Sequence, residues 1–335
     1  MKRIGHIFDT IISPENLLAA HFEAKRGKTK RRRVIARFEA DLDANIQRLH
    51  EALKAGTWRM KDYKHLVRYE GHKERVIYYD PHYEDTVVQH AIVRTLGNLL
   101  MRSFTEHTYA SMAKRGIHRA VKHIRRCLKG FADEEAIYIF KCDIHHFYAS
   151  IDHDVLKRVL ARKVKDPRAL RLLFTGVIDT FGEGIPIGNY LSPLFANLVL
   201  SDLDHALQAR VRGCFRYLDD IVLLDNDKAR LREAVTCVMD YCREHGLAVK
   251  RNWQIYPIER YGLDFVGYVF RRYDIRIRRR VERGFRRAAR RFLERRDEHH
   301  LHSLASYWGW FKFTSNGYKL WYKVLPGGIR ELEAA

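Results

Sequence analysis

The spacing of apolar residues changes period several times along the chain, and each change marks an element. Phe38, Leu42, Ile46, Leu49 and Leu53 recur every three or four residues and predict one helix that ends near Gly56. From Tyr63 to Tyr79 strand-forming residues alternate with charge around Gly71, which predicts a hairpin closed by Asp80-Pro81. A helix with Val87, Val88, Ala91, Ile92 and Leu96 on its apolar face follows, and then a polar loop, 108–118, leads into a basic helix from Ala120 to Leu128. Ala136–Asp143 reads as a strand ending on an acid, with Ser150 or Asp152 capping the next helix. The Gly- and Pro-punctuated loop 182–193 opens a long apolar helix from Leu194 through Leu207.

Further on, Arg216–Leu224 predicts a hairpin with Asp219 and Asp220 at its tip, and Asp227–His245 an amphipathic helix stopped by Gly246. Leu247–Lys250 and Trp253–Tyr256 read as strands, and Leu263–Phe270 as another ribbon. The segment from Arg271 to Arg296 is dominated by arginine, with Phe285, Ala288, Ala289 and Phe292 as an apolar stripe. A second helical segment, Leu301–Phe313, carries Tyr307, Trp308, Trp310 and Phe311. Between Ala136 and Ile255 the order strand, helix, helix, hairpin, helix, strand is that of a ferredoxin-like sheet. This topology would bring Asp143 beside Asp219 and Asp220.

An apolar strand rarely carries two aspartates at its centre, because burying unpaired charge is costly. A hairpin tip removes that cost and leaves two readings open. Asp-Asp is either an ordinary solvated turn or part of an oxygen-rich site for a hard divalent cation.

Charge narrows the choice of partner. The 335 residues hold 62 Lys and Arg against 41 Asp and Glu, a formal net charge of +21, which points to a polyanion. No apolar run approaches the ~18–20 residues of a membrane-spanning helix, and the first residues lack the apolar core of a signal peptide. The five scattered cysteines form no C-x-x-C pair, so neither zinc nor a disulfide framework is expected, and a reducing compartment is. The run Lys25–Arg33 and the arginine-rich tail are expected to meet backbone phosphates. Three carboxylates on adjacent strands with cationic segments on either side suit two-metal phosphoryl transfer.

At this point the chain resembles a reverse transcriptase over nearly its full length. Phe140-x-x-Asp143 through Phe147-Tyr148, Gly184-x-Pro186-x-Gly188-x-x-x-Ser192-Pro193, Tyr217-Leu218-Asp219-Asp220 and Phe265-Val266-Gly267-Tyr268 are similar, in that order, to that family's motifs. The resemblance implies an α+β right-hand polymerase fold. Residues 1–134 would form an N-terminal segment and fingers, and 135–262 a ferredoxin-like palm, with fingers helices from 160–190. Residues 263–274 would be a primer-grip ribbon and 275–335 a basic helical thumb.

By the same resemblance Asp143, Asp219 and Asp220 are the catalytic acids. With the backbone carbonyl of Ile144 they would hold two Mg2+ ions, for which Mn2+ substitutes. Lys73, Arg75, Tyr148, Ile187 and Gly188 would contact the incoming nucleotide, Tyr148 as a steric gate against the ribose 2′-hydroxyl. Phe265, Val266, Gly267 and Tyr268 would grip the primer, and Arg279, Arg283, Arg286, Arg287 and Arg290 the template and primer backbone. The general acid is left between Lys250 and Arg251.

Within the family the likeness is greatest to the enzymes of diversity-generating retroelements, through Val87–Ala91, Gly184–Asn189 and Ser306–Trp310. Ile187 stands where most reverse transcriptases carry glutamine. An aliphatic side chain cannot hydrogen-bond near the nucleotide sugar, which fits that group's error-prone copying opposite adenine. Ser192-Pro193 departs from the group's usual Ser-Gln and is shared with group II intron and other bacterial enzymes. The implied partners are template RNA and its RNA/cDNA duplex, dNTPs and a small basic accessory variability protein, with no membrane, in the cytoplasm of a bacterium or from a phage. The alternatives are a phage-defence, CRISPR-linked or intron-derived reverse transcriptase, and a non-catalytic RNA-binding protein.

Overall fold

In the computed structural model, residues 3–28, 31–70 and 73–326 are described. The architecture is α+β, of the right-hand polymerase type, and no helix among the described residues is long and apolar enough to cross a membrane. The chain divides into two compact units. One comprises residues 1–111, 143–206 and 236–250, the other 112–142, 207–235 and 251–335.

In the first unit β1 (Lys64–Glu70) and β2 (Lys73–Tyr79) form an antiparallel hairpin with Val67 opposite Val76 and Arg68 opposite Arg75. Leu66, Val67, Tyr69 and Tyr78 are all exposed, so both faces of this ribbon are wet. The predicted turn residue Gly71 lies outside the described residues, as do Thr29 and Lys30 of the N-terminal basic run. The helix Tyr83–Ile92 is buried along its whole length and packs on the helix Pro14–Ala24. It continues through a π-turn at Val93–Gly97.

Two predicted helices are each broken. Phe38 belongs to Arg32–Glu39, whereas Ile46, Leu49 and Leu53 belong to Leu42–Lys54. Asp41, at φ −141° and ψ 59°, separates them, and the Asn45 side chain donates to the Phe38 carbonyl at 2.9 Å, satisfying an acceptor the break releases. Likewise the helix expected over Leu194–Leu207 is Ser192–Val199 and Ser201–Gln208, parted at Leu200, whose ψ of 1° lies outside the helical region. Periodicity survives such one-residue breaks, because the buried face hardly rotates. The cap at Asp152 is as expected, its carboxylate accepting from the Val155 N–H at 2.8 Å.

The second unit is built on a four-stranded sheet of order β4-β5-β3-β6, with β3 at Tyr138–Asp143, β4 at Gly213–Tyr217, β5 at Asp220–Asp225 and β6 at Gln254–Pro257. Phe140, Phe215 and Ile221–Leu224 are almost completely buried, as a sheet covered on both faces requires. Leu247–Lys250 is not a strand of this sheet. It makes one isolated bridge, Val249 to Ile144, flanked by single hydrogen bonds from the His145 and Lys250 N–H groups.

A second sheet, β7 (Leu263–Phe265), β8 (Tyr268–Phe270) and β9 (Ile275–Ile277), precedes the arginine-rich helix, which therefore starts at Arg279 rather than Arg271. That helix, Arg279–Arg295, packs on Glu298–Phe311, which in turn packs on Gly317–Val324. Phe285 stacks on Trp321 at 5.1 Å and meets Phe311 edge-on at 4.6 Å, while Trp308 lies 4.7 Å from Trp321. Trp321 is fully buried at the centre of this cluster. Replacing it with alanine should lower the unfolding free energy by about 3–5 kcal/mol, read as an earlier midpoint in urea denaturation. An unchanged midpoint would remove the cluster as the core of this lobe.

Candidate active site

The acidic pair sits on a two-residue turn. Tyr217 pairs with Asp220 across β4 and β5, which leaves Leu218 and Asp219 as the turn's central residues. Leu218 takes a φ of +57°, a left-handed value that a branched side chain adopts only when its surroundings impose it. Part of that imposition comes from Arg216, which is 1% exposed and donates from Nη1 to the Leu218 carbonyl at 3.0 Å. A charge so buried needs fixed acceptors, and the turn's own carbonyl is one of them. Lys141 of β3 reaches Asp220 at 3.6 Å and donates to the Asp264 carbonyl of β7 at 2.6 Å, joining the acidic turn to the second sheet. Nearby, burial pushes the Tyr256 hydroxyl up to about 12, with Asp264 and Asp220 adding to the effect.

Asp143 closes β3, the neighbour of β5 in the sheet. Its carboxylate forms an ion pair with Lys250, and its carbonyl accepts from the Lys250 N–H at 2.9 Å. The His145 N–H to Ala248 carbonyl bond, 2.7 Å, and the bridge between Ile144 and Val249 hold the two segments together. Ile144 is fully buried. Of the two residues left open as general acid, Lys250 lies on the first acid and Arg251 is exposed in the turn that follows. His145 and His146 are both exposed.

The expected nucleotide contacts all belong to the first unit. Tyr148 lies in a short helical turn, Phe147–Ser150, and its carbonyl accepts from the Ile185 N–H at 2.8 Å. Gly184 packs so closely here that a Cβ would come within 2.5 Å of the Tyr148 carbonyl oxygen. Two residues on, the Ile187 carbonyl accepts from the Tyr78 N–H of β2 at 2.7 Å. Gly188, at φ +113°, leaves no room for a side chain, since a Cβ would lie 2.0 Å from the Tyr78 carbonyl oxygen. The Ile187 side chain remains 38% exposed. Arg75 stands on the same ribbon, opposite Arg68. The Lys73 side chain lies outside the described residues.

The other side of this loop is held by two residues of the Val87–Ala91 segment, to which sequence reasoning gave no role in the site. Gln89 accepts from the Tyr190 N–H at 3.0 Å and donates to Asp80 at 3.2 Å. His90 stacks on the Tyr190 ring at 3.8 Å. Burial, with the Asp85 carboxylate beside it, pushes Asp80 up to about 7, and burial brings His90 down to about 4, so the stacked imidazole is neutral at neutral pH. Gln89 and His90 lie in a segment that carried the family likeness, but an apolar helical stripe gave no sign that they face the loop. Lys141 and Arg216 left a fainter signal, single cations inside apolar strands.

In the second unit Val266 and Gly267, at φ 44° and 88°, make a two-residue turn between β7 and β8 with left-handed φ at both positions. Gly267 lies flat on Trp310, and Tyr268 stacks on the same ring at 5.2 Å and donates to its carbonyl at 3.1 Å. Phe265 and Tyr268 are fully buried, so of the four expected primer contacts only the turn residues Val266 and Gly267 are accessible. Arg279, Arg283, Arg286, Arg287 and Arg290 are all exposed along one helix, with Arg286 paired to Glu282 at 2.7 Å.

Fold and strand order define a polymerase of the right-hand class. Residues 70–268, more than half of the chain, match the family model described as reverse transcriptase (RNA-dependent DNA polymerase), and the protein belongs to that family. It is 25% identical over 198 residues to Protein YkfC of Escherichia coli K12, covering 56% of this chain and 48% of the relative. It is also 25% identical over 173 residues to the group II intron-encoded protein LtrA of Lactococcus lactis subsp. cremoris, covering 48% of this chain and 28% of the relative. The match thus spans less than half the length of either relative. Among solved structures, an apo telomerase from Candida tropicalis truncated from its C-terminal domain shares the fold, with a TM-score of 0.51 and 12% identity over 65% of this chain and 55% of the telomerase.

Gly188→Ala should force the nucleotide loop off β2. We predict that nucleotide incorporation falls at least ten-fold, mainly through a raised KM for dNTP. Unaltered steady-state constants would show that the contact with Tyr78 does not shape the pocket.

Proposed function

We propose that this protein is an RNA-directed DNA polymerase that copies a retroelement template RNA into error-prone cDNA, in mutagenic retrohoming. The observation that carries the polymerase reading is the sheet order, in which β3, ending on Asp143, neighbours β5, beginning with Asp220. Asp143, Asp219 and Asp220, with the Ile144 carbonyl, offer only hard oxygen donors, the set that Mg2+ or Mn2+ takes. The fit is supported by Lys250 and Lys141, ammonium groups already drawn to Asp143 and Asp220. When bound, two such ions lower the pKa of the primer 3′-hydroxyl and neutralise the leaving pyrophosphate.

The remaining roles fall to the chain itself. Lys250, paired with Asp143, or Arg251 in the turn that follows would protonate the departing pyrophosphate. Tyr148 closes the pocket on the sugar side, where its ring excludes a 2′-hydroxyl. Arg75 and Lys73 meet the triphosphate from the fingers ribbon, and Gly188 sets the depth of the nucleotide floor. Template and primer follow the Val266-Gly267 turn and the exposed arginines from Arg279 to Arg290, with residues 275–335 as the thumb. A small basic accessory protein and a structured template RNA complete the assembly, in a bacterial or phage-infected cytoplasm.

Ile187 supports the error-prone part of the reading. Its aliphatic side chain is 38% exposed at the loop that faces β2, and it offers no hydrogen bond to a nucleotide. The second reading, an intron-derived or other bacterial reverse transcriptase, draws on Ser192-Pro193 and on the likeness to the intron-encoded relative.

Primer extension on an RNA template tests the activity. Wild type should incorporate dNTPs in Mg2+, and Asp219→Asn should lower the rate by at least a thousand-fold; equal incorporation by the two would remove Asp219 from the chemistry. Sequencing the cDNA separates the two biological readings. We expect mismatches concentrated opposite template adenine, with Ile187→Gln lowering them several-fold, whereas an even, low error rate in both enzymes would favour the intron-like reading.

A further inference from the structure

A second cationic site lies in the second unit, lined by residues to which the polymerase reading assigns no contact. The helix Ile117–Lys129 contains no acidic residue. His118, Lys122, Arg125 and Lys129 recur along it at spacings of four, three and four, one stripe that is exposed throughout. At 1.5 Å per residue the stripe runs for about 16 Å. It borders a cleft of about 350 Å³ whose opposite wall is the turn Arg271–Ile275 and the segment Lys312–Ser315.

The cleft is built rather than incidental. Arg272 is fixed by donating to the carbonyls of Ala132, at 2.9 Å, Asp133, at 2.6 Å, and Glu135. Tyr273 donates to Asp133 at 2.7 Å while its ring stays 76% exposed at the rim. On the other side Phe313 stacks on His118 at 4.5 Å, with the Lys122 ammonium 5.8 Å from its ring. Asp274 is the only acid in the lining, and it is already engaged by Arg276. Arg125, Lys129, Arg271 and Lys312 also line the cleft, and none has a carboxylate partner among the described residues. Four like charges held around one concavity repel unless an anion shares it, and a linear stripe suits a linear anion.

We propose that this cleft binds a phosphodiester backbone segment of structured RNA, at a site separate from the arginine helix Arg279–Arg295. Lys122, Arg125 and Lys129 follow successive phosphates, Arg271 and Lys312 close over them, and Tyr273 offers a ring face to an unpaired base. The site anchors the template RNA without taking part in the chemistry. Each phosphate contact contributes roughly one unit of slope to the dependence of log affinity on log salt.

The test uses the full chain, a fluorescein-labelled RNA stem-loop and its DNA counterpart, with anisotropy titrations across a salt series. Arg125→Gln/Lys129→Gln should weaken RNA binding about ten- to hundred-fold and make the salt slope shallower by roughly one to two units. Arg125→Lys/Lys129→Arg should restore both, which a merely structural role would not produce. Extension of a short pre-annealed primer and template should be unchanged in each variant. A polymerase-dead wild type would sink the functional reading and leave this one standing. A loss confined to the RNA stem-loop assigns the source as RNA, and an equal loss on DNA assigns it as backbone phosphate of either sugar. RNA affinity and salt slope equal to wild type in the Gln variant would overturn the proposal.

Discussion

Carboxylates at the ends of buried strands are the constraint on which the rest of the second unit depends. β5 is apolar from Ile221 to Leu224, and it begins with an acid. The cost of desolvating such a charge is met by position and by partners. Position comes from the two-residue turn, which keeps Asp219 and Asp220 at the rim of the sheet. Partners come from Lys141 on Asp220 and Lys250 on Asp143. Arg216, buried behind the turn, adds a fixed donor to the Leu218 carbonyl and helps to hold a φ that leucine disfavours. A buried ion is weak evidence of stability but good evidence of a required geometry.

A different economy governs the loop between Gly184 and Leu191. Residues 184–190 hold almost no regular structure, yet the N–H groups of Ile185, Asn189, Tyr190 and Leu191 and the carbonyls of Gly184, Pro186 and Ile187 all have partners. Tyr148 and Tyr78 bind the loop on one side, and Gln89 and His90 on the other. Glycines at 184 and 188 allow backbone to approach backbone where any side chain would collide. The exposed Ile187 is therefore presented by a rigid frame.

The positive charge is not spread evenly over function. Arginines of the helix Arg279–Arg295 stand outside an aromatic core of Phe285, Trp308, Phe311 and Trp321, which orients them without using them for packing. The stripe on Ile117–Lys129 is oriented in the same way, by the buried Ala120, Val121, Ile124 and Leu128 on its other face. In both cases an apolar face determines where the cations point. Net charge alone distinguishes neither surface from the other.

Much of this was legible from residue order. Strand and helix periods located the hairpins at 64–79, 213–225 and 263–270, because alternation and turn residues act locally. The ordered motifs carried the family, since each motif is short and its spacing tolerates the intervening folds. Helix breaks at Asp41 and Leu200 were not legible, because one residue outside the helical region barely disturbs an apolar stripe. Nor was the burial of Phe265 and Tyr268, which as motif residues read as contacts and in space are the floor beneath Val266 and Gly267. Lys250 on Asp143, Gln89 on Tyr190 and the cleft between Ile117–Lys129 and Arg271–Ile275 join segments more than 100 residues apart. Such contacts have no local signature. Periodicity and turn chemistry are set by neighbours along the chain, whereas the pairing of a charge is set by whatever the packed core brings to it.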